Sequence, residues 1–215
     1  MKRSTIALSL LIMLIQPVLR PLNAASADGL IPPPAMPNMD HLTSTLTAPP
    51  ISKIILGKLV VGLELTTLGE VKKSAGVGEI QHKGDAGGSE DWLCYTTSFR
   101  GQPERIWISS GELGGPEHAI GSFYAATGNK EKSAHCPELP AQLRPVSLGN
   151  PLWLGSSPDQ LKDLFGKPSM KSDGWWVYSY SGKVPANGFD RLAILGVRIL
   201  NGKVVGLFVS QATTD

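Results

Sequence analysis

The chain is 215 residues long, 41% hydrophobic and 18% charged, with a formal net charge of +2. The surplus of base lies in residues 1–27, which carry Lys2, Arg3 and Arg20 and no acid; without them, 17 Lys and Arg stand against 18 Asp and Glu. With no basic excess and no Lys/Arg cluster in the remainder, neither nucleic acid nor an anionic membrane surface is an expected partner.

Residues 1–27 read as a secretory signal peptide. Lys2 and Arg3 form its basic start, Ile6 to Ile15 is apolar except for Ser9, and Ala25-Ser26-Ala27 supplies the small residues of a cleavage site. The apolar run of about ten residues falls well short of the roughly 20 that a permanent transmembrane helix needs, so no stable membrane span is expected after its removal. No cysteine stands beside the cleavage site to accept a lipid. The mature chain is expected in the periplasm or secreted. Residues 28–50, "DGLIPPPAMPNMDHLTSTLTAPP", carry six prolines and no periodicity. Proline removes a backbone donor and holds the chain extended, so this stretch is expected to be a linker or arm rather than core.

From Ile51 the pattern becomes globular. "KIILGKLVVGLEL" is apolar and rich in β-branched residues, as a strand or an irregular buried segment would be. Thr67 stands three residues before Glu70, the spacing of a capping box, and predicts a short helix through Val71 to about Ala75, stopped by Gly76. "DWLCYTTSF", "ERIWIS" and "HAIGSFYAA" then read as strands. After a link over 137–146, the same order returns from Ser147. Ser157 and Gln160 form a second capping box with Pro158 at the first helical position, and Leu161, Leu164 and Phe165 make an apolar face before Gly166-Lys167-Pro168. Strands follow at "GWWVYSYS", "LAILGVRIL" and "KVVGLFVSQ", the last two joined by Asn201-Gly202, a pair suited to a type I′ turn. The recurrence predicts an α+β fold of two tandem repeats, 51–136 and 147–213, each a short helix packed on an antiparallel sheet of about three strands. Units this small are expected to pack side by side.

The second of these stretches, "LGNPLWLGSSPDQLKDLFGKPSMKSDGWWVYSY" with the closing "NGKVVGLFV", resembles the repeat of the SmpA/OmlA outer-membrane assembly lipoproteins and of the secreted β-lactamase inhibitory proteins. The resemblance covers about 65 residues well and the first repeat loosely. It implies a helical turn, a stop and an antiparallel sheet, and no enzymatic activity. The missing lipidation cysteine departs from the assembly lipoproteins. Separately, "AGVGEIQHKGDAGGSEDWLCY" and "SSGELGGPEHAI" in the first repeat are similar to uncharacterised exported bacterial proteins, which imply no activity.

The only two cysteines, Cys94 and Cys136, are expected to form a disulfide, as an even count in an exported chain suggests. The alternative, a zinc site of Cys94, Cys136, His82 and His135, lacks the paired spacing of structural zinc. Two places are candidates for binding. If Trp176, Tyr178, Tyr180 and Arg198 share an open sheet face, they form the aromatic-plus-Arg surface that interface hot spots favour, with Trp175 and Val177 on the opposite side; alternatively these rings are core and Trp175 is exposed. The connection Ser109 to His118, "SSGELGGPEH", is long for a hairpin and carries Glu112, Glu117 and His118 among glycines.

Catalytic signatures are weak. Ser109 and Ser110 with His118 and Glu112 have no nucleophile elbow around them. Gly84 to Gly88 lacks both the Lys-Ser/Thr of a P-loop and dinucleotide-binding spacing, and four histidines without H-E-x-x-H leave a catalytic metal little to hold it. No cofactor or metal is expected. The expected function is that of an exported, non-catalytic module binding a protein of the cell envelope; the alternative is a small periplasmic hydrolase using His118 and Glu112.

Overall fold

The computed structural model describes residues 29–39, 42–128, 132–186 and 188–215; the expected signal peptide lies outside them. Strands β1 (Lys53–Leu56) and β2 (Leu59–Gly62) form a tight hairpin where the sequence suggested one apolar segment. Gly57 makes the turn at φ 59°, and a Cβ there would lie 2.2 Å from the Gln142 carbonyl oxygen, which leaves room for glycine alone. Helix α1 (Leu68–Ala75) begins with the expected reciprocal box between Thr67 and Glu70 and ends at Gly76, whose N–H donates to the Lys72 carbonyl. Strands β3 (Gln81–Lys83), β4 (Glu90–Phe99), β5 (Gln102–Gly111) and β6 (Ser122–Thr127) follow.

The second half opens with β7 (Val146–Ser147) and α2 (Pro158–Phe165), capped reciprocally by Ser157 and Gln160. Leu161 is fully buried beneath α2, whereas Leu164, expected on the same apolar face, is exposed. Strands β8 (Met170–Ser172), β9 (Trp175–Lys183), β10 (Asp190–Leu200) and β11 (Lys203–Thr214) complete the chain. Among the described residues no helix is long and apolar enough to cross a membrane.

The fold is α+β and its strand pairs are antiparallel, but it is not two equal repeats with a three-stranded sheet each. One sheet has eight strands in the order β3-β4-β5-β6-β11-β10-β9-β8, and a second has three in the order β2-β1-β7. The last strands of the two halves, β6 and β11, pair from Ser122–Ser210 to Ala126–Gly206 and fuse what was expected as two sheets. An unpaired edge at either would present a row of free N–H and C=O groups, which this pairing removes. The small sheet takes β1 and β2 from before α1 and β7 from before α2.

Both helices and the small sheet cover one face of the large sheet. Leu68, Val71 and Leu161 from the helices meet Leu93, Tyr95, Ile106, Ile108, Leu195 and Val197 from the strands in a single core. Strand alternation sends the intervening residues to the opposite face. There two smaller clusters form: Trp92, Cys94, Trp107 and Cys136 on the first half, and Val177, Ile194 and Phe208 on the second.

Candidate functional site

The face opposite the helices is where the proline-rich segment goes. Residues 29–39 and 42–46, expected as part of a spacer outside the core, lie across this face as an arm. Leu30 and Ile31 pack on the Trp92–Trp107 cluster, and Met36, Met39 and Leu42 pack on Val177, Ile194 and Phe208 together with Trp175. The arm's start is pinned through Ile31, whose N–H donates to Gln81 Oε1 (3.0 Å) and whose carbonyl accepts from Trp107 Nε1 (2.9 Å). Its far end is held at β9, where the N–H groups of Thr45 and Leu46 both donate to the Ser179 carbonyl (3.1 and 3.0 Å) and Ser179 Oγ donates to the Thr43 carbonyl (3.1 Å).

A seat for Met36 is built into the sheet. Gly196 on β10 lies between Phe208 and Val177, and a Cβ there would come within 2.8 Å of Met36 Cε. The absence of that carbon leaves room for the end of the Met36 side chain, with the Trp175 ring 3.5 Å from the same point. The arm's apolar side chains are only half-buried, while Trp92, Val177, Ile194 and Phe208 beneath it are buried. A cavity of about 620 Å³ bordered by Met39, Leu42, Ser44, Leu192 and Ile194 remains beside it. The arrangement is an aromatic and aliphatic floor carrying an extended, proline-bearing segment, a recurring mode of peptide recognition.

Register separates the residues that the sequence grouped as one aromatic face. Trp176, Tyr178 and Tyr180 stand opposite Val197, Leu195 and Ala193, whereas Arg198 stands opposite Trp175. Directly opposed residues share a face, so the three rings lie on the helix-covered side and Arg198 points the other way. Tyr178 is fully buried, its ring 5.4 Å from that of Phe165 on α2, and cannot meet a partner. Trp176 is half-buried at the margin, with the ammonium of Lys171 3.7 Å from its ring centroid, and Tyr180 is also half-buried. Trp175, assigned to the other side from these rings, is there and lies under the arm.

The connection from Ser109 to His118 is shorter than expected, because Ser109 and Ser110 belong to β5. Glu112 borders a cavity of about 530 Å³ with Glu64 and Gln211, which are bonded to each other (2.7 Å). His118 does not border it. Its Nδ1 faces Asp91 Oδ2 at 3.3 Å, and the other oxygen of Asp91 faces His82 Nδ1 at 3.0 Å. The Ser109 hydroxyl bonds Ser122 (2.7 Å) and that of Ser110 donates to the Gly111 carbonyl (3.4 Å), so neither is placed against the His118 imidazole. Cys94 and Cys136 are joined as a disulfide, which removes both thiolates from the zinc alternative. His135 lies instead against Glu79 (3.6 Å). Among the described residues no group of three or more His, Cys, Asp or Glu is placed to hold a metal ion.

Glu104 was not singled out in the sequence. It has the strand parity of Ile106 and Ile108 and therefore enters the helix-covered side as an acid among aliphatics, a signal already present in "ERIWIS". The residue is 3% exposed, and its carboxylate accepts a hydrogen bond from Trp153 Nε1 at 2.9 Å. Desolvation raises its pKa from 4.5 to about 7, partly offset by the indole bond. The folded state therefore holds this proton after the unfolded chain has lost it. The associated stability is fully present below pH 4.5 and is lost as pH rises through about 7, a fall of about 3 kcal/mol. Urea unfolding at intervals from pH 4 to 8 is expected to show that decline, and Glu104→Gln to flatten it.

Comparison with family models, with curated proteins and with solved structures finds no match.

Proposed function

We propose that the chain is an exported, non-catalytic module that binds an extended, proline-bearing apolar segment of a cell-envelope protein on the arm-covered face of the eight-stranded sheet. What supports this is the arm itself: a segment of that chemistry already occupies the face, with its carbonyl on the Trp107 indole and its methionine in the space left by Gly196. The Cys94–Cys136 bond agrees with an oxidising compartment. The resemblance to the outer-membrane assembly lipoproteins and β-lactamase inhibitory proteins, in which no enzymatic activity is implied, points the same way. A hydrolase built on His118 and Glu112 would need both at one cavity, and the cavity that Glu112 borders is not lined by His118.

An arm held in cis competes with any partner at the high effective concentration of a tethered segment, in the millimolar range for a short flexible link. Loosening it should therefore expose the site. A fluorescein-labelled peptide spanning residues 29–46, titrated by anisotropy, is expected to bind Met36→Asp roughly tenfold or more tightly than wild type, because a charge on the tethered arm loosens it while Gly196 keeps the seat open for the peptide's own methionine. Circular dichroism would establish that both proteins are folded. A peptide that binds neither folded form sinks the proposal.

A further inference from the structure

On the opposite, helix-covered side, the sheet ends in a further cavity, of about 360 Å³, at the seam between the two halves. Its floor is Glu104 on β5, its walls include Trp153, Leu154 and Val204, and Arg100 and Lys203 stand among its lining residues. The loop carrying Trp153 is stitched to β11, with Gly155 N–H donating to the Val204 carbonyl (2.8 Å) and Val204 N–H to the Ser156 carbonyl (2.9 Å). Trp153 is itself buried, its ring centroid 6.3 Å from that of Phe123, so the indole that orients Glu104 is fixed from behind. The result is a small site on rigid elements with one oriented acid at its base.

A carboxylate this buried, which among the described residues accepts from one neutral donor, the Trp153 indole, lacks the charge compensation that burial demands. The missing partner is a compact cation bearing several N–H donors, which a primary ammonium provides. Arg100 and Lys203 are exposed cations and suit an acid at the ligand's other end. The indole and aliphatic walls suit an apolar body between the two charges, and the volume lies within the roughly 300–1,000 Å³ of small-molecule sites.

We infer that this cavity binds a free α-amino acid with an apolar side chain, its ammonium on Glu104 and its carboxylate toward Arg100 and Lys203. This site does not depend on the arm-covered face. A carboxyl serving only to accept the Trp153 hydrogen bond would be replaceable by glutamine, which keeps a carbonyl oxygen for the indole and discards the charge. The test is the thermal unfolding of the mature chain at pH 8 with each common L-amino acid at millimolar concentration. A ligand that binds only the folded state raises the unfolding temperature as its concentration exceeds Kd. An apolar amino acid is expected to raise it in wild type and to lose at least tenfold in affinity with Glu104→Gln, a variant expected to be more stable than wild type at that pH because it carries no buried charge. The matching carboxylic acid without the amine should have no effect. No shift with any apolar amino acid overturns the inference, as does a shift that Glu104→Gln retains or that the amine-free acid reproduces.

Discussion

Replacing Cys94 and Cys136 together by alanine is expected to cost about 4 kcal/mol of stability, the largest effect of any pair of substitutions considered in this chain. The bond joins residues 42 positions apart, and a loop of that length gains most of its stabilisation from the conformations it denies the unfolded chain. Local structure depends on it as well. Beyond Cys94 the edge of β4 is covered by the segment that follows Cys136: Thr96 N–H donates to the Pro137 carbonyl and Leu139 N–H to the Thr96 carbonyl, both at 2.8 Å. Both cysteines are buried in one cluster with Trp92 and Trp107, on the floor that carries the start of the arm. Urea unfolding of wild type, with and without reductant, and of the double variant measures the effect. Midpoints that coincide in all three would show that the disulfide does not contribute.

Tyr178→Ala is expected to cost about 3–5 kcal/mol, the range for removing a large buried ring from a close-packed core. The ring is fully buried among the residues beneath α2 and lies 5.4 Å from Phe165. Its hydroxyl is buried without a hydrogen-bond partner among the described residues, and burial pushes its pKa up to about 12. Tyr178→Phe, which removes only that hydroxyl, should therefore leave stability unchanged or raise it by about 1 kcal/mol. Trp176→Ala, at the half-buried margin of the same strand, should cost clearly less than Tyr178→Ala. Denaturant unfolding of the three variants orders them. A Tyr178→Ala variant as stable as wild type would contradict the placement of this ring in the core.

What was legible in the sequence was local chemistry. Thr67 with Glu70 and Ser157 with Gln160 satisfy backbone donors within four residues, so both helix starts could be read without knowing their surroundings, and both are in place. Asn201-Gly202 turns β10 into β11 because positive φ is a property of those two residues. Two cysteines permit one intramolecular pair, and it forms. Alternation within β9 correctly divided Trp175 and Val177 from Trp176, Tyr178 and Tyr180.

The relation between segments was not legible, because neither strand register nor edge pairing is encoded within a strand. Alternation sorts residues into two sets but does not say which set of β9 meets which set of β10, and this is why Arg198 was grouped with the wrong rings. The pairing of β6 with β11 joins strands far apart in sequence, and only their meeting turns two expected sheets into one of eight strands. The destination of the arm was hidden for the same reason: its prolines signal an extended chain, while its seats, Trp107, Gly196 and Ser179, lie on three different strands. Glu104 announced itself as an acid among aliphatics, yet the indole that orients it comes from a loop beyond β7. The sequence by itself determined where helices start, where the chain turns and which residues share a side of a strand, since those depend on neighbours within a few bonds. The tertiary structure alone decided which sides face each other, what covers them and where a ligand has room, since those depend on contacts whose chain-closure entropy is recovered only when the whole sheet assembles.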